Sequence, residues 1–341
     1  MDSGRDTNFW RRLEPPVFTL APMEDVTDTV FRYFVLRWAS PKYLKVVMSE
    51  FLSVDGFLHP EGREKVHHRL YIHPLERKLL RQKGIKIIAQ IWGTDPRKFE
   101  QAARIISQEY EFDGIDINMG CPMKKIIKNG ACSALILNPE LARDIIQATQ
   151  SGTHLPVSVK TRLGMKQFVT QEWITALLAA KPASIGIHGR IQKQLYSGKA
   201  HWDEIRKAVQ IRNHSDKTIA IQGNGDVFDI PTGLRRIQES GVDGIMIGRG
   251  ILKNPWFFND AGFEITSQQK IRLLLEHTKL YEDTWQGIKS FAIMKRFFKM
   301  YISDFKGAVE LRGQIMPLNS YDEIRNVLEP LLTDQKTSDI L

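Results

Sequence analysis

Short apolar, β-branched runs recur along this chain of 341 residues, each ending in a polar or glycine-containing segment. They are VFTLA (17–21), KVVMSE (45–50), IKIIAQI (85–91), GIDINM (114–119), PVSVKT (156–161), SIGIH (184–188), TIAIQ (218–222) and GIMIG (244–248). Between them lie stretches of helical periodicity, such as PRKFEQAARIISQEY (96–110), PELARDIIQATQ (139–150) and DIPTGLRRIQESG (229–241). Continuous apolar strands alternating with amphipathic helices predict βα units and a parallel sheet. Eight such units in about 240 residues fit an α/β fold of the (β/α)8 TIM-barrel type better than an open doubly wound sheet. No G-x-G-x-x-G follows the first run, which also disfavours the doubly wound alternative.

After residue 258 the pattern changes. Segments 267–285 and 289–303 read as long amphipathic helices and 320–332 as a shorter one, with no strand between them. The expected organisation is a polar N-terminal tail over 1–16, a barrel over 17–258 and a smaller all-helical domain over 259–341.

Composition narrows the class. A hydrophobic content of 42% and a charged content of 26% are those of an ordinary globular protein. No run of 18 apolar residues exists, so no membrane span is expected. The first residues lack the apolar core of a secretory leader, and two cysteines cannot build a disulfide framework. Both features lead us to expect a reducing, cytoplasmic setting. Lys and Arg number 48 against 39 Asp and Glu, a net charge of +9. An acidic partner such as nucleic acid and simple solubility both account for such an excess. Residues 261–341 hold 11 basic and 11 acidic side chains, so the whole excess lies in residues 1–260. Within that part, the segment from Arg63 to Lys86 carries eight basic residues against Glu64 and Glu76, which points to a polyanion footprint.

Barrels of this kind build their sites at the C-terminal ends of the strands. The polar residues that follow the apolar runs are therefore the candidates: Pro22, Met23 and Glu24; Ser49 and Glu50; Gln90; Asn118, Gly120 and Cys121; Lys160 and Arg162; His188, Gly189 and Arg190; Asn224, Gly225 and Asp226; Gly248, Arg249 and Gly250. The last two runs end in GNGD and GRG, turns in which backbone N–H groups can approach a phosphate closely. Tight βα turns alone would also need those glycines. No H-E-x-x-H, C-x-x-C or paired-carboxylate pattern suggests a metal site or a hydrolase.

LAPMEDVTD (20–28), AQIWG (89–93), DINMGCPMKKIIKNGACSALI (116–136), VSVKTRLG (157–164), IHGRIQKQLYSGKAHWDEI (187–205), IQGNGDVFD (221–229) and IMIGRG (245–250) occur in this order. Together they resemble the tRNA-dihydrouridine synthases, flavin-dependent enzymes that reduce uridine in tRNA. The resemblance implies FMN on the barrel rim, NADPH as reductant and tRNA as partner, with a monomer expected. It implies that Pro22, Met23 and Glu24 contact the flavin and that Gln90 and Lys160 bond its polar ring edge. His188, Asn224, Gly225, Asp226, Gly248 and Arg249 would serve the ribityl and phosphate side. Cys121 would give a proton to carbon 5 of the uracil, with Asn118 holding the base. Arg162, Arg190, Lys295 and Arg296 would bind substrate, and the 63–86 cluster, Lys124, Lys125, Lys128 and Lys193 would hold the RNA backbone. Cys132 stands where the family usually has a small residue and is expected to be a buried small hydrophobe. Two other readings are a flavin barrel acting on a small pyrimidine or enone, and a flavin-free RNA-binding relative. The positive charge and helical appendage count against the first, and the intact set of rim residues counts against the second.

Overall fold

In a computed structural model that describes residues 8–260 and 265–333, the eight apolar runs form one closed barrel of parallel strands in sequence order. The strands are β1 (Val17–Leu20), β2 (Leu44–Ser53), β3 (Lys86–Trp92), β4 (Gly114–Met119), β5 (Val157–Arg162), β6 (Ser184–His188), β7 (Ala220–Asn224) and β8 (Gly244–Ile247). β1, β4, β6 and β8 are buried at every position, the mark of strands covered on both faces. Three of the outer helices start where the sequence supplies both a cap and a proline. Asp95, Asn138 and Asp229 accept backbone N–H bonds at the heads of Pro96–Glu109, Pro139–Ser151 and Ile230–Ser240. Each of these helices has proline in its first turn, where a missing N–H costs nothing.

The N-terminal segment departs from the expected polar tail. Its first seven residues lie outside the described residues, but Phe9–Arg12 form a 3-10 turn in which Phe9 and Trp10 are buried. The two rings stack at 5.0 Å and pack with Val46, Met48, Ile88 and Met246 from the strands. Gly114, which opens β4, lies against the Phe9 ring, so the aromatic pair closes the barrel at the N-terminal ends of its strands.

Among the described residues after the barrel, the regular elements are helical: Ser267–Trp285, Lys295–Tyr301, Ala308–Ile315, Tyr321–Leu328 and Pro330–Thr333, with a 3-10 turn at Phe291–Ile293. The single helix expected over 289–303 is thus two pieces, and Ala308–Ile315 was not anticipated. The expectations for 261–264 and 334–341 lie outside the described residues. No described helix is long and apolar enough to cross a membrane. The helical region docks on the barrel helix Thr29–Trp38 through aromatic contacts. Phe31 stacks on Phe297 at 5.0 Å, and His277 packs between Phe34 and Phe297 at 4.8 and 4.9 Å.

Charge also joins the two parts. Between Met48 and Phe51 the β2–β3 register shifts, and this irregularity spans Ser49 and Glu50. Bulges re-aim side chains in this way. The Lys289 ammonium lies 2.5 Å from Glu50 Oε2 and 3.7 Å from Asp28 Oδ2, with all three side chains at most 5% exposed. Trp285 Nε1 donates to Asp28 Oδ2 at 2.8 Å, and the Asp25 N–H donates to Glu50 Oε1 at 2.8 Å.

Candidate active site

Strand register determines which rim residues become neighbours. Gln90 pairs with Asp116, Asn118 with Lys160, Arg162 with His188, and His188 with Asn224. A cleft of about 440 Å³ opens over these positions at the C-terminal ends of the strands. Its walls include every residue assigned above to catalysis or to the flavin, together with Asn118 and Arg162. Arg190, Lys295 and Arg296 are not among its walls.

Beneath the cleft lies a polar network that sequence reading missed. The buried Asp116 carboxylate accepts from Gln90 Nε2 and from Ser158 Oγ, both at 2.7 Å. Burial pushes the Asp116 carboxyl up to about 6 against the pull of those donors. Asn118 Nδ2 donates to Gln90 Oε1 at 3.0 Å, so the network fixes both amides. A carboxylate inside an apolar strand requires partners, and Asp116 within GIDINM was the available signal.

Asn118 does more than face the cleft. Its Oδ1 accepts the backbone N–H groups of Gly120 (3.0 Å) and Cys121 (2.9 Å). Oδ1 is thus engaged by its own loop and one N–H by Gln90, while the second N–H is left over at the cleft. Asn118 thereby also shapes the turn that carries Cys121. Arg162 supports the same turn, donating through Nε to Gly120 O at 2.8 Å and through Nη1 to Leu195 O at 2.9 Å. The Cys121 thiol is half-buried, and its acidity is raised to a pKa of about 7, first by a hydrogen bond from the Cys132 thiol and against the effect of burial.

Lys160 projects into the same cleft. It donates to Asn224 Oδ1 at 3.4 Å, and burial with the nearby Arg162 lowers it to about 8. His188 is held neutral by burial beside Arg162, Lys160 and Arg190. Its Nε2 faces Arg190 Nη1 at 3.2 Å, and a guanidinium only donates, so the proton sits on Nδ1.

Three expected substrate contacts lie outside the cleft walls, and one of them, Arg190, is corrected. Arg190 is 1% exposed, and its donors are taken by both Asp226 oxygens (2.7 and 2.8 Å), Gly198 O, Ser197 O and His188. It is a buried clamp for the β7 loop and has no donor for an RNA phosphate. Burial opposes charge on Asp226, but Arg190 and the Ala200 N–H hold its carboxyl below the usual range. Asp226 therefore anchors the loop, and its side chain also lines the cleft. Lys295 donates to Asn319 Oδ1 at 2.9 Å, away from the cleft. Arg296 reaches the rim loop, donating to Asp25 Oδ2 at 3.1 Å and to Glu24 O at 3.4 Å.

The 63–86 cluster is also largely neutralised. Arg63 pairs with Glu109, Arg77 and Arg81 with Glu111, Lys86 with Asp113, and Arg69 with Glu24. Lys86 begins β3 and Asp113 precedes β4, which puts that pair at the barrel end opposite the cleft. Only Arg69 turns to the rim. By contrast Lys124, Lys125 and Lys128, which follow Cys121, are exposed, as are Lys193 and Lys199 on the loop after β6. Tyr196 on that loop, also missed from sequence, is exposed beside the guanidiniums of Arg249 (5.0 Å) and Arg162 (5.8 Å).

Comparison with known proteins completes the picture. The family model for dihydrouridine synthase (Dus) matches residues 19–336. A Bacillus subtilis (strain 168) protein named probable tRNA-dihydrouridine synthase 2 is 40% identical over 324 residues, 94% of this chain and 96% of its own length. A probable tRNA-dihydrouridine synthase of Staphylococcus aureus (strain COL) is 40% identical over 94% of this chain and 95% of its own. Among solved structures, an old yellow enzyme homologue from Zymomonas mobilis covers 70% of this chain and 85% of its own, at 13% identity and a TM-score of 0.45.

Proposed function

The chain belongs to the dihydrouridine synthase family, and on that premise we propose that it reduces uridine in tRNA to 5,6-dihydrouridine, with Cys121 as the proton donor. The observation that carries this reading is the convergence of one partly exposed thiol, Cys121, and one weakly partnered cation, Lys160, on a single cleft.

The cleft fits FMN. Its volume lies in the range of small-molecule sites. A β-carbon at Gly248 would meet only Ala21 and Met23 at 3.9 Å, so a side chain there would fill the cleft itself. Gly225 has φ +134, and a β-carbon would strike Ala200 at 2.7 Å; the turn that brings backbone to this wall needs glycine. Arg249, half-exposed at the rim, suits a phosphate, and Lys160 suits a ring edge on which negative charge accumulates. When bound and reduced, the flavin supplies a hydride to carbon 6 of the uracil. NADPH is the proposed source of those electrons.

The residues of the chain do the rest. Cys121 is held by Asn118 and Arg162 at the wall and delivers its thiol proton to carbon 5. An acid near pH 7 is well matched to that step, because it is neither fully ionised nor reluctant to give up the proton. A uracil in folded tRNA must leave its stack to enter, at a cost of a few kcal/mol. In this reading Lys124, Lys125, Lys128 and Lys193, all exposed, hold the phosphate backbone while it does so.

The test is Cys121→Ala in the flavin-loaded protein, with tRNA, free uridine and a small enone as alternative substrates. Flavin absorbance and its bleaching by NADPH are expected to persist, while dihydrouridine in tRNA falls by two to four orders of magnitude, roughly the share that general acids contribute. Turnover near that of the parent would remove Cys121 from the mechanism. Reduction of the enone but not of tRNA would remove the RNA substrate.

A further inference from the structure

A second pocket, of about 300 Å³, lies where the barrel meets the helical region. Its walls include His68, Tyr71 and His73 from the connection that follows β2, and Thr284, Trp285 and Ile288 from the far end of the helix Ser267–Trp285 and just beyond it. That connection leaves β2 at the end of the barrel where the cleft opens. Each wall is one residue away from a side chain that holds the rim loop. Arg69, next to His68, pairs with Glu24; Lys289, next to Ile288, pairs with Glu50, which accepts the Asp25 N–H. Pocket and cleft therefore flank the same loop.

The walls combine flat rings with polar edges. His68 and Tyr71 stand edge-on to Trp285, each with its ring centroid 5.9 Å away. Burial and the nearby Arg69 hold His68 at about 4, so at pH 7 its ring is neutral, with one donor and one acceptor. Asp283 also lines the pocket and no lysine or arginine does, so a phosphate would be repelled there. Thr284 adds an unmade hydrogen bond. Its Oγ1 is shut off from solvent and has no partner among the described residues, whereas Thr278 on the same helix donates back to Leu274 O at 2.7 Å. Tyr71 and Ile288 are 42% and 59% exposed, which leaves the mouth open and apolar. A nucleobase matches these walls, with faces that stack and an edge of donors and acceptors.

We propose that this pocket receives a second, unstacked nucleobase of the same tRNA whose uridine enters the cleft. The proposal rests on the tRNA reading above. It adds a contact to a base where the exposed lysines beside the cleft reach only phosphates, and phosphate contacts position a nucleic acid without reading it.

The experiment measures the Kd for unmodified tRNA at several salt concentrations, and kcat for dihydrouridine formation, in the flavin-loaded protein and two variants. Tyr71→Ala removes a half-exposed ring, and Thr284→Val keeps the side-chain shape but loses the hydroxyl. Tyr71→Ala is expected to raise Kd roughly 5- to 150-fold, the contribution of one base stacked on an aromatic side chain. Its kcat at saturating tRNA should hold, because such a contact serves ground and transition states alike. Thr284→Val should raise Kd roughly 2- to 12-fold, the net contribution of one hydrogen bond. Its melting temperature should not fall, because the free protein loses no hydrogen bond. The slope of affinity against salt should match the parent's in both variants, since no phosphate contact is removed. Kd values equal to the parent's in both variants would overturn the proposal, and so would a shallower salt slope. A parent that binds no tRNA would instead sink the substrate reading, and the second base with it.

Discussion

Lys289→Met tests whether charge joins the helical region to the barrel mouth. The Lys289 ammonium sits 2.5 Å from Glu50 and 3.7 Å from Asp28, and solvent hardly reaches any of the three. Removing the cation leaves two buried carboxylates facing one another, and breaking a buried pair in this way costs about 3–5 kcal/mol. At roughly 2 °C per kcal/mol for a large domain, the melting temperature should drop by roughly 6–10 °C at neutral pH. The pH dependence sharpens the test. Burial already raises the Asp28 carboxyl above its ordinary value, and loss of the lysine raises it further. A carboxyl that binds its proton more tightly folded than unfolded loses stability as pH climbs from its unfolded value through its folded one. The deficit should therefore be larger at pH 8 than at pH 5. Thermal melts at both values measure it, and Lys289→Met combined with Glu50→Gln should recover part of the loss, because the pair is coupled. A change under about 2 °C at pH 8, or a deficit that grows toward pH 5, would refute the reasoning.

Lys160→Met should raise the melting temperature of the ligand-free protein below pH 8 while abolishing flavin absorbance. The parent lysine is held near 8 when folded, so between that value and its unfolded one the folded state binds fewer protons and the penalty fades as pH rises. No gain at pH 7 would mean that Lys160 is not strained by its burial. Trp10→Ala should cost about 3–5 kcal/mol in urea unfolding, the scale for a buried aromatic. A loss below about 1 kcal/mol would mean that the N-terminal turn does not seal the barrel.

The barrel was legible because parallel strands buried on both faces write themselves as unbroken apolar runs. The cleft was legible because the last polar residue of each run falls on one rim, so Gln90, Asn118, Cys121, Lys160 and His188 could be named without coordinates. What sequence could not give was the direction of each donor. Arg190 and Asn118 turn inward to their own loops, which depends on side-chain torsions that no periodicity records. The 63–86 cations are paired with Glu109, Glu111 and Asp113 from a different helix and its following turn. Phe9 and Trp10 sit in a polar stretch too short to show a period. The contact of Lys289 with Glu50 spans 239 positions, and the left-handed backbone at Cys132 carries no residue-type signal because glycine is absent there.

The junction at the rim also fixes an order of events during synthesis. The loop after β1, which carries Pro22, Met23 and Glu24, is among the first parts of the chain to be made. It is held from outside by Glu50, whose charge is balanced by Lys289, and by Arg296 on Asp25. A nascent barrel still tethered to the ribosome, with all eight strands in place, therefore has the Glu50 and Arg69 contacts of its first loop but not yet those that Lys289 and Arg296 add. The rim loop reaches its full set of contacts only when residues near 296 have emerged and docked.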